Sequence, residues 1–208
     1  EATDEATFEA AMAFVTATGK KPLACRDSYG FAVNRFFCPY TNEASRLVGE
    51  GLATTAQVDR VAKEALGVAA GPFLVQNIIK PRINLNAIRN LGPLGAFYAP
   101  APFLVEHGEA DRAFEIAEDT TGHAENDGAV ADRLRGAAFL PILQELDEGV
   151  AAPADIDMGA EQALRFRAPC ALMEELGAEE VGRVVEPLCR AYKIDTPQSL
   201  ERVGSLRE

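Results

Sequence analysis

The sequence repeats one arrangement of helical segments. Each copy has a long apolar helix, a Glu-Gly turn, a shorter helix and a third helix that begins at a proline. The turns are Glu50-Gly51 and Glu148-Gly149, and the third helices begin at Gly71-Pro72 and Ala168-Pro169. The stripes of the two shorter helices share one constant offset: Val58, Val61, Ala62, Ala65 and Leu66, then Ile156, Gly159, Ala160, Ala163 and Leu164. This repeat predicts an all-α chain of two related helical units with their apolar faces turned inward.

Local signals bound the first elements of the chain. Residues 7–18 have the period of a helix, and residues 23–25 predict a short strand. From residue 31 to residue 51 apolar side chains recur at three- and four-residue steps, which predicts a long, mostly buried helix. Pro39 removes a backbone donor inside that helix and should kink it.

The later helices of the first unit have recognisable start signals. Thr54 and Gln57 have the spacing of a capping box, so a helix should begin there. Pro72 is expected in the first turn of the next helix, and residues 84–91 predict a further one. Residues 106–129 are rich in Glu, Asp, Gly and Thr with little apolar periodicity, which predicts a linker between the units.

The charge of the chain argues against a nucleic-acid partner. The formal net charge is -12 and the isoelectric point is about 4.7, so the overall field repels a phosphate backbone. Lys20 and Lys21, followed by Arg26 and Arg35, form a locally cationic stretch. A small anionic ligand could bind there, and a solvated helix end explains the same charges equally well.

Cysteine and histidine placement predicts no metal site. The four cysteines show no Cys-x-x-Cys spacing, and we expect reduced, mostly buried thiols. His107 and His123 lie in loop-like sequence and are expected to be exposed rather than catalytic. Because there is neither an apolar run of about 20 residues nor a secretory leader, we expect a cytoplasmic protein with no membrane partner.

Residues 19–35 read GKKPLACRDSYGFAVNR and resemble the hinge signature of the 3-hydroxyacyl-CoA dehydrogenases. Further matching segments follow in the family's order and spacing: Pro39-Tyr40, Asn42-Glu43-Ala44, Glu50-Gly51, Val58-Asp59 and Gly71-Pro72-Phe73. Tyr29 stands where the family usually has proline. The resemblance covers residues 7 to about 105, and the second unit is similar to the degenerate second copy in multifunctional fatty-acid oxidation proteins. It implies two tandem C-terminal domains of this type, a fold also described as 6-phosphogluconate dehydrogenase C-terminal-like.

The resemblance also divides the chain into segments. They are residues 1–28, a remnant of a preceding domain with its hinge; residues 29–105, the first helical domain; residues 106–129, the linker; and residues 130–208, the second, degenerate domain. Because the chain starts without Met and with a helix under way, we expect it to be cut from a longer polypeptide. In the family a Rossmann domain binds NAD and supplies a His-Glu pair. The chain alone is therefore expected to bind no cofactor and to be inactive.

The activity implied by the resemblance is oxidation of 3-hydroxyacyl-CoA to 3-oxoacyl-CoA in fatty-acid β-oxidation. In the family the helical domain closes over the acyl-CoA substrate and forms subunit contacts. A homodimer is therefore expected, and the apolar helix at residues 31–52 is the surface expected to meet the second copy.

Residues around the hinge can be given roles in this reaction, one by the resemblance and the others by their position and charge. Oxidation of the 3-hydroxyl group needs a base, a nicotinamide that accepts hydride, and a donor that holds the oxygen. Asn34 matches the family's active-site Asn, and its neutral amide can bond the oxygen in either oxidation state. Ser28 is expected at the substrate, and Lys20, Lys21 and Arg35 near the CoA phosphates. Without the resemblance, Asn34 would be read as a helix cap or solvent-facing residue and Ser28 as a turn residue.

Two other functions fit parts of the sequence. A helical scaffold or interaction module would keep the fold without the chemistry. A different dehydrogenase acting on 3-hydroxy acids would share the helical plan. The spacing Gly30-Phe31-x-x-Asn34-Arg35, followed by Gly71-Pro72-Phe73, is more specific than helicity and favours the acyl-CoA enzyme.

Overall fold

A computed structural model describes residues 3–117 and 124–207. The α-helices in these ranges are α1 (Glu5–Ala17), α2 (Asn34–Gly49), α3 (Thr55–Leu66), α4 (Pro72–Ile79), α5 (Pro81–Asn90), α6 (Pro102–Glu109), α7 (Asp127–Glu148), α8 (Pro153–Gly159) and α9 (Pro169–Tyr192). Short 3-10 helices lie at Gly92–Leu94, Ala96–Tyr98 and Gln198–Arg202, and a π-helical turn at Ala160–Leu164 follows α8. These ranges contain no strand, so the all-α prediction is confirmed.

The strand predicted at residues 23–25 is wrong. These residues have no regular structure, because they have no neighbouring strand with which to form a ladder. The chain is held here by the backbone N–H of Arg26, which donates to the carbonyl of Val150 at 2.8 Å. An apolar run of three residues is too short to distinguish a strand from an anchored loop.

Two helix starts differ from their predicted positions for backbone reasons. Helix α2 begins at Asn34 rather than at residue 31, because Phe31 has a left-handed conformation with φ of 51°. Helix α5 begins at Pro81 rather than at residue 84, because the non-helical conformation of Lys80 (φ 76°, ψ 133°) separates it from α4. Proline at the first position of a helix loses no intrahelical hydrogen bond.

The capping signals of the first unit are confirmed. The Thr54 hydroxyl accepts a hydrogen bond from the Gln57 N–H at 3.1 Å, which caps α3. Pro72 is the first residue of α4, as predicted. Pro39 lies inside α2, and the kink expected at this residue stays a prediction.

The predicted linker contains parts of two helices. Helix α6 continues to Glu109 and α7 begins at Asp127, while residues 110–117 have no helix. Residues 118–123, including His123, lie outside the described residues.

His107 is not the exposed loop residue that was predicted. It lies in α6 with 8% of its surface exposed, and its ring stacks on Phe114 with centroids 4.3 Å apart. Its Nδ1 lies 3.0 Å from the carbonyl oxygen of Arg112. The pattern missed this because α6 is short and His107 pairs with an aromatic residue beyond the end of the helix.

The central contact of the fold is between the long helices α2 and α7, and α9 also packs against α7. Phe166, from the second unit, meets the rings of Phe36 and Tyr40 edge-on at 5.8 and 5.4 Å. These rings are almost fully buried. Because α7 covers the apolar face of α2, that face is not available to a second copy of the chain. The surface predicted for the homodimer is therefore occupied within the chain, and the homodimer itself stays a prediction.

The repeat predicted from the sequence recurs in side-chain contacts. The Asp59 carboxylate accepts hydrogen bonds from the N–H groups of Phe73 and Leu74 at 2.7 and 3.1 Å. The Asp157 carboxylate accepts bonds of 2.7 and 3.3 Å from two N–H groups at the same place in α9. In both units an aspartate of the shorter helix thus caps the proline-started helix.

Backbone breaks also recur at matching positions. Lys80 separates α4 from α5, and Gly177 interrupts α9 with φ of 81° and ψ of 160°. The separation between these two residues equals that between Pro72 and Pro169, the starts of α4 and α9. Helix α9 is therefore the counterpart of α4 and α5 together. Glycine adopts this left-handed break without the steric cost that lysine carries.

Two ion pairs join the units reciprocally. Arg35 at the start of α2 donates to the Glu148 carboxylate, with one contact of 2.8 Å, and Arg133 near the start of α7 donates to Glu50 at 2.5 Å. Arg133 and Glu148 lie at the same offset from Arg35 and Glu50. Each arginine thus reaches the Glu-Gly turn of the other unit. When two units exchange equivalent contacts in this way, they are related by an approximate twofold axis.

A second pair of contacts runs between the same parts of the two units, with matching acceptors but different donors. The Arg26 N–H donates to the carbonyl of Val150, and the Asn126 side-chain amide donates to the carbonyl of Leu52 at 2.5 Å. Leu52 and Val150 are again related by the repeat. The segment that enters each long helix is therefore fastened to the turn of the other unit.

Candidate functional site

Asn34 is exposed at the first position of α2 and lines a groove of about 320 Å³. The other lining residues are Leu23, Cys25, Gly30, Phe31, Ala32 and Val33. The N-cap of α2 is Val33, and no side chain caps this helix. The helix-cap reading of Asn34 is therefore not what the structure shows. Its amide lies at a groove formed with the segment that precedes the helix.

A left-handed turn positions this amide. Gly30 and Phe31 have φ values of 81° and 51°, which reverse the chain directly before α2. A Cβ atom on Gly30 would lie 2.8 Å from the Leu91 side chain and 2.9 Å from the Arg35 nitrogen. Only glycine fits such a conformation and such a close approach without displacement. Gly30 is thus needed for the turn that brings Asn34 to the start of the helix.

Arg35 is turned away from the groove and toward the second unit. Its guanidinium group donates to the Ser28 hydroxyl at 2.8 Å and to both carboxylate oxygens of Glu148. Only 1% of Arg35 is exposed, while the Glu148 side chain is about half exposed. The structure therefore brings Ser28 and Arg35 together, with Glu148 as a partner that local sequence could not identify.

Lys20 and Lys21 lie on the irregular segment between α1 and α2, and both are exposed. Helix α1, which precedes them, buries none of its residues, and Phe14 is largely exposed. This part of the chain therefore presents two cations and an apolar helix surface to the solvent.

Glu145 is a buried acid that the sequence patterns missed. It lies in α7 one helical turn before Gly149, it is fully buried, and neither carboxylate oxygen has a hydrogen-bond partner. Burial raises the pKa of Glu145 from 4.5 to about 9; Arg35 opposes this rise and Glu148 adds to it. Partial burial likewise raises the pKa of the thiol of Cys25, which lines the groove. The acid is therefore neutral near pH 7 and does not compete with Glu148 for Arg35.

Replacing Glu145 with glutamine should make the free energy of unfolding less sensitive to pH. Below about pH 4.5 the acid is protonated in both states. As the pH rises from there toward 9, the unfolded state loses its proton first, so the wild type loses up to about 1.4 kcal/mol of stability per pH unit. Glutamine keeps the shape without this loss, and we expect an advantage of roughly 2–3 kcal/mol at pH 8.

Urea unfolding of both proteins at pH 5, 7 and 9 measures this effect. The difference in the free energy of unfolding should grow with pH. The same difference at all three pH values would show that Glu145 is ionised or solvated in the folded protein.

Other site types are not seen in the described parts of the chain. Within residues 3–117 and 124–207, no group of three or more His, Cys, Asp or Glu side chains could hold a metal ion. No helix within those limits has the length and apolar character to cross a bilayer.

The second unit keeps the arginine of this site but not the amide. The repeat offset aligns Gly30, Phe31, Asn34 and Arg35 with Gly128, Ala129, Asp132 and Arg133. Asp132 receives two bonds from the Arg183 guanidinium, at 2.5 and 2.7 Å, so it is tied to α9. The Gly and Arg spacing at residues 128–133 was a signal in the sequence that would have located this degenerate counterpart.

Sequence comparisons agree with this geometry. A profile described as 3-hydroxyacyl-CoA dehydrogenase, C-terminal domain, matches residues 30–117. A human mitochondrial hydroxyacyl-coenzyme A dehydrogenase is 42% identical over 71 residues, which are 34% of this chain and 23% of that protein. A fatty acid oxidation complex subunit alpha from Shewanella amazonensis is 27% identical over 221 residues, covering 89% of this chain and 30% of that protein. The chain thus spans about a quarter to a third of the length of these relatives.

A solved structure has the same fold over almost the whole chain. The crystal structure of 3-hydroxybutyryl-CoA dehydrogenase from Escherichia coli matches with a TM-score of 0.79 and 16% identity, covering 99% of this chain and 66% of that one. At this identity the match shows the fold, including the second helical unit. Residues 30–117 thus match the helical C-terminal domain of the 3-hydroxyacyl-CoA dehydrogenase family.

Proposed function

We propose that this chain is the substrate-binding part of an NAD-dependent 3-hydroxyacyl-CoA dehydrogenase of fatty-acid β-oxidation. Joined to a nucleotide-binding domain, it would take part in oxidising 3-hydroxyacyl-CoA to 3-oxoacyl-CoA. The observation that carries the proposal is the exposed Asn34 amide at the groove, in the unit that matches the family. The second unit has Asp132 there instead, bound to Arg183.

The groove suits the polar and apolar parts of such a substrate. The amide of Asn34 can donate a hydrogen bond to the oxygen on C3 both as a hydroxyl and as a carbonyl, without a change of charge. A donor fixed at the start of a helix stabilises this oxygen most when its charge develops during the reaction. The apolar surface of Leu23, Phe31 and Val33 can contact the carbon chain.

The described residues do not fit a dinucleotide. They contain no strand and no glycine-rich turn between a strand and a helix, which such a cofactor needs for its pyrophosphate. We therefore place NAD, which supplies the hydride acceptor, and the general base on the nucleotide-binding domain. The isolated chain is then expected to be inactive.

The hinge residues have two different proposed roles. Lys20 and Lys21 are exposed and remain available to the CoA phosphates. Arg35 is engaged by Glu148 and Ser28, so its role is to hold the hinge against the second unit. The Ser28 hydroxyl accepts a hydrogen bond from Arg35 and can still donate one to the substrate.

Reconstitution tests the proposal. The chain should be mixed with, or fused to, the nucleotide-binding domain of a relative and assayed for NADH formation from 3-hydroxybutyryl-CoA. We expect activity only when both parts are present. If the two parts are folded and associate but no NADH forms, the helical scaffold function is favoured instead.

A further inference from the structure

Phe31 has two features that folding alone does not explain. Its ring is 57% exposed, although exposure of an aromatic ring to water is unfavourable. Its backbone is left-handed with φ of 51°, a conformation that is strained for any residue with a Cβ atom. Strained backbone conformations whose energetic cost is not offset by local packing are concentrated at functional sites.

The second unit shows that the fold does not require these features. The counterpart of Phe31 is Ala129, which lies inside α7 with the helix continuing around it. The long helix of a unit can therefore begin earlier, without a left-handed residue and without an aromatic ring. The arginine that serves the interface between the units is kept in both copies, as Arg35 and Arg133.

Two of the positions that differ between the copies share one surface. Phe31 and Asn34 both line the groove, and their counterparts are alanine and an aspartate tied to α9. The difference between the units thus separates residues that serve packing from residues that serve the groove. Phe31 falls in the second group together with the proposed oxygen donor.

We infer that Phe31 contacts the substrate and that its ring packs on the acyl carbons beyond the carbon that is oxidised. The inference rests on the proposed function and names a specificity-determining residue for it. With the substrate oxygen at the Asn34 amide, the neighbouring apolar surface of Phe31, Leu23 and Val33 receives the hydrocarbon that follows. A long acyl chain covers more of the ring than a short one does, so the contact favours longer substrates.

The length dependence gives the test. In the reconstituted enzyme, Phe31→Ala should lower kcat/KM by roughly 3-fold for the four-carbon substrate and by roughly 30- to 100-fold for the ten-carbon substrate. Phe31→Leu should lie between the wild type and Phe31→Ala. Phe31→Asn should raise the unfolding midpoint, because asparagine accepts the left-handed backbone more readily, and still lower kcat/KM. A residue with a purely structural role would not show this opposite pair of effects.

Tyr29 provides the matched control. It is a neighbouring aromatic residue with 53% exposure and does not line the groove. Tyr29→Ala should leave kcat/KM for both substrates unchanged. If the wild type is active and Phe31→Ala alters both substrates equally, or neither, this inference is overturned while the proposed function stands. If the wild-type assembly is inactive, both are overturned.

Discussion

Replacing Asn34 with alanine should lower kcat/KM of the reconstituted dehydrogenase by about 100- to 1,000-fold, the cost of removing one donor from a developing oxyanion. The amide is exposed and caps no helix, so its removal should not change the fold. Because the bond strengthens as the reaction proceeds, most of the loss should appear in kcat rather than in KM. Steady-state kinetics with 3-hydroxybutyryl-CoA, together with unfolding curves of both proteins, measures these effects.

The second unit contains the control for this substitution. Asp132→Ala changes the residue at the matching position and breaks two exposed contacts with Arg183. It should leave the kinetics unchanged and cost at most about 1 kcal/mol of stability. If Asn34→Ala retains more than a third of the wild-type kcat, the amide does not hold the reacting oxygen.

Replacing Gly136 with alanine should destabilise the fold by about 3 kcal/mol. Gly136 lies in α7, and a Cβ atom there would be 2.5 Å from the carbonyl oxygen of Val184 in α9 and 3.0 Å from the Leu188 side chain. The leucine can rotate away, but the carbonyl belongs to the backbone of α9. The two helices must therefore separate, and the unfolding midpoint should fall by roughly 6–12 °C.

Gly128 gives a control in the same helix. A Cβ atom there has no neighbour within 4 Å, so Gly128→Ala only improves the helix propensity. We expect about 0.5–1 kcal/mol of added stability from this change. Differential scanning calorimetry of the two variants should give shifts of opposite sign. Equal shifts would show that α7 and α9 are not packed as closely as described.

The helical architecture was accessible to sequence reasoning because its signals are local. The Thr54 cap, the proline starts of α4 and α9 and the Glu-Gly turns each depend on a few neighbouring residues. The constant offset of the shorter helices then linked the two units. Structural contacts at Asp59 and Asp157 confirm the repeat, although neither bond was foreseen.

What the sequence did not reveal depends on contacts between distant residues. Arg35 carries a charge that fits a phosphate as well as a carboxylate, and only the fold shows that Glu148 meets it. Glu145 looks like a surface acid of an amphipathic helix, but α2 and α9 both pack against α7 and Glu145 is fully buried. His107 was assigned to a loop because its partner, Phe114, lies beyond the end of α6.

The candidate site could be predicted in part. Asn34 follows from the family signature, and the structure places it at a groove. The left-handed conformation of Phe31 could not be predicted from its residue type. It accompanies the neighbouring left-handed turn at Gly30. The role proposed for Phe31 rests on the repeat, which aligns it with Ala129.

The reciprocal ion pairs join two halves of one polypeptide, and this has a consequence for how the assembly can change. Two separate subunits held by such contacts come apart when they are diluted, whereas covalently joined halves meet at any protein concentration. A substitution in two identical subunits is also always present twice. Here Glu50 and Glu148 are separate positions of one sequence, so one half can change without the same change in the other. Because the two halves are joined covalently, their pairing does not depend on protein concentration, and their sequences can differ.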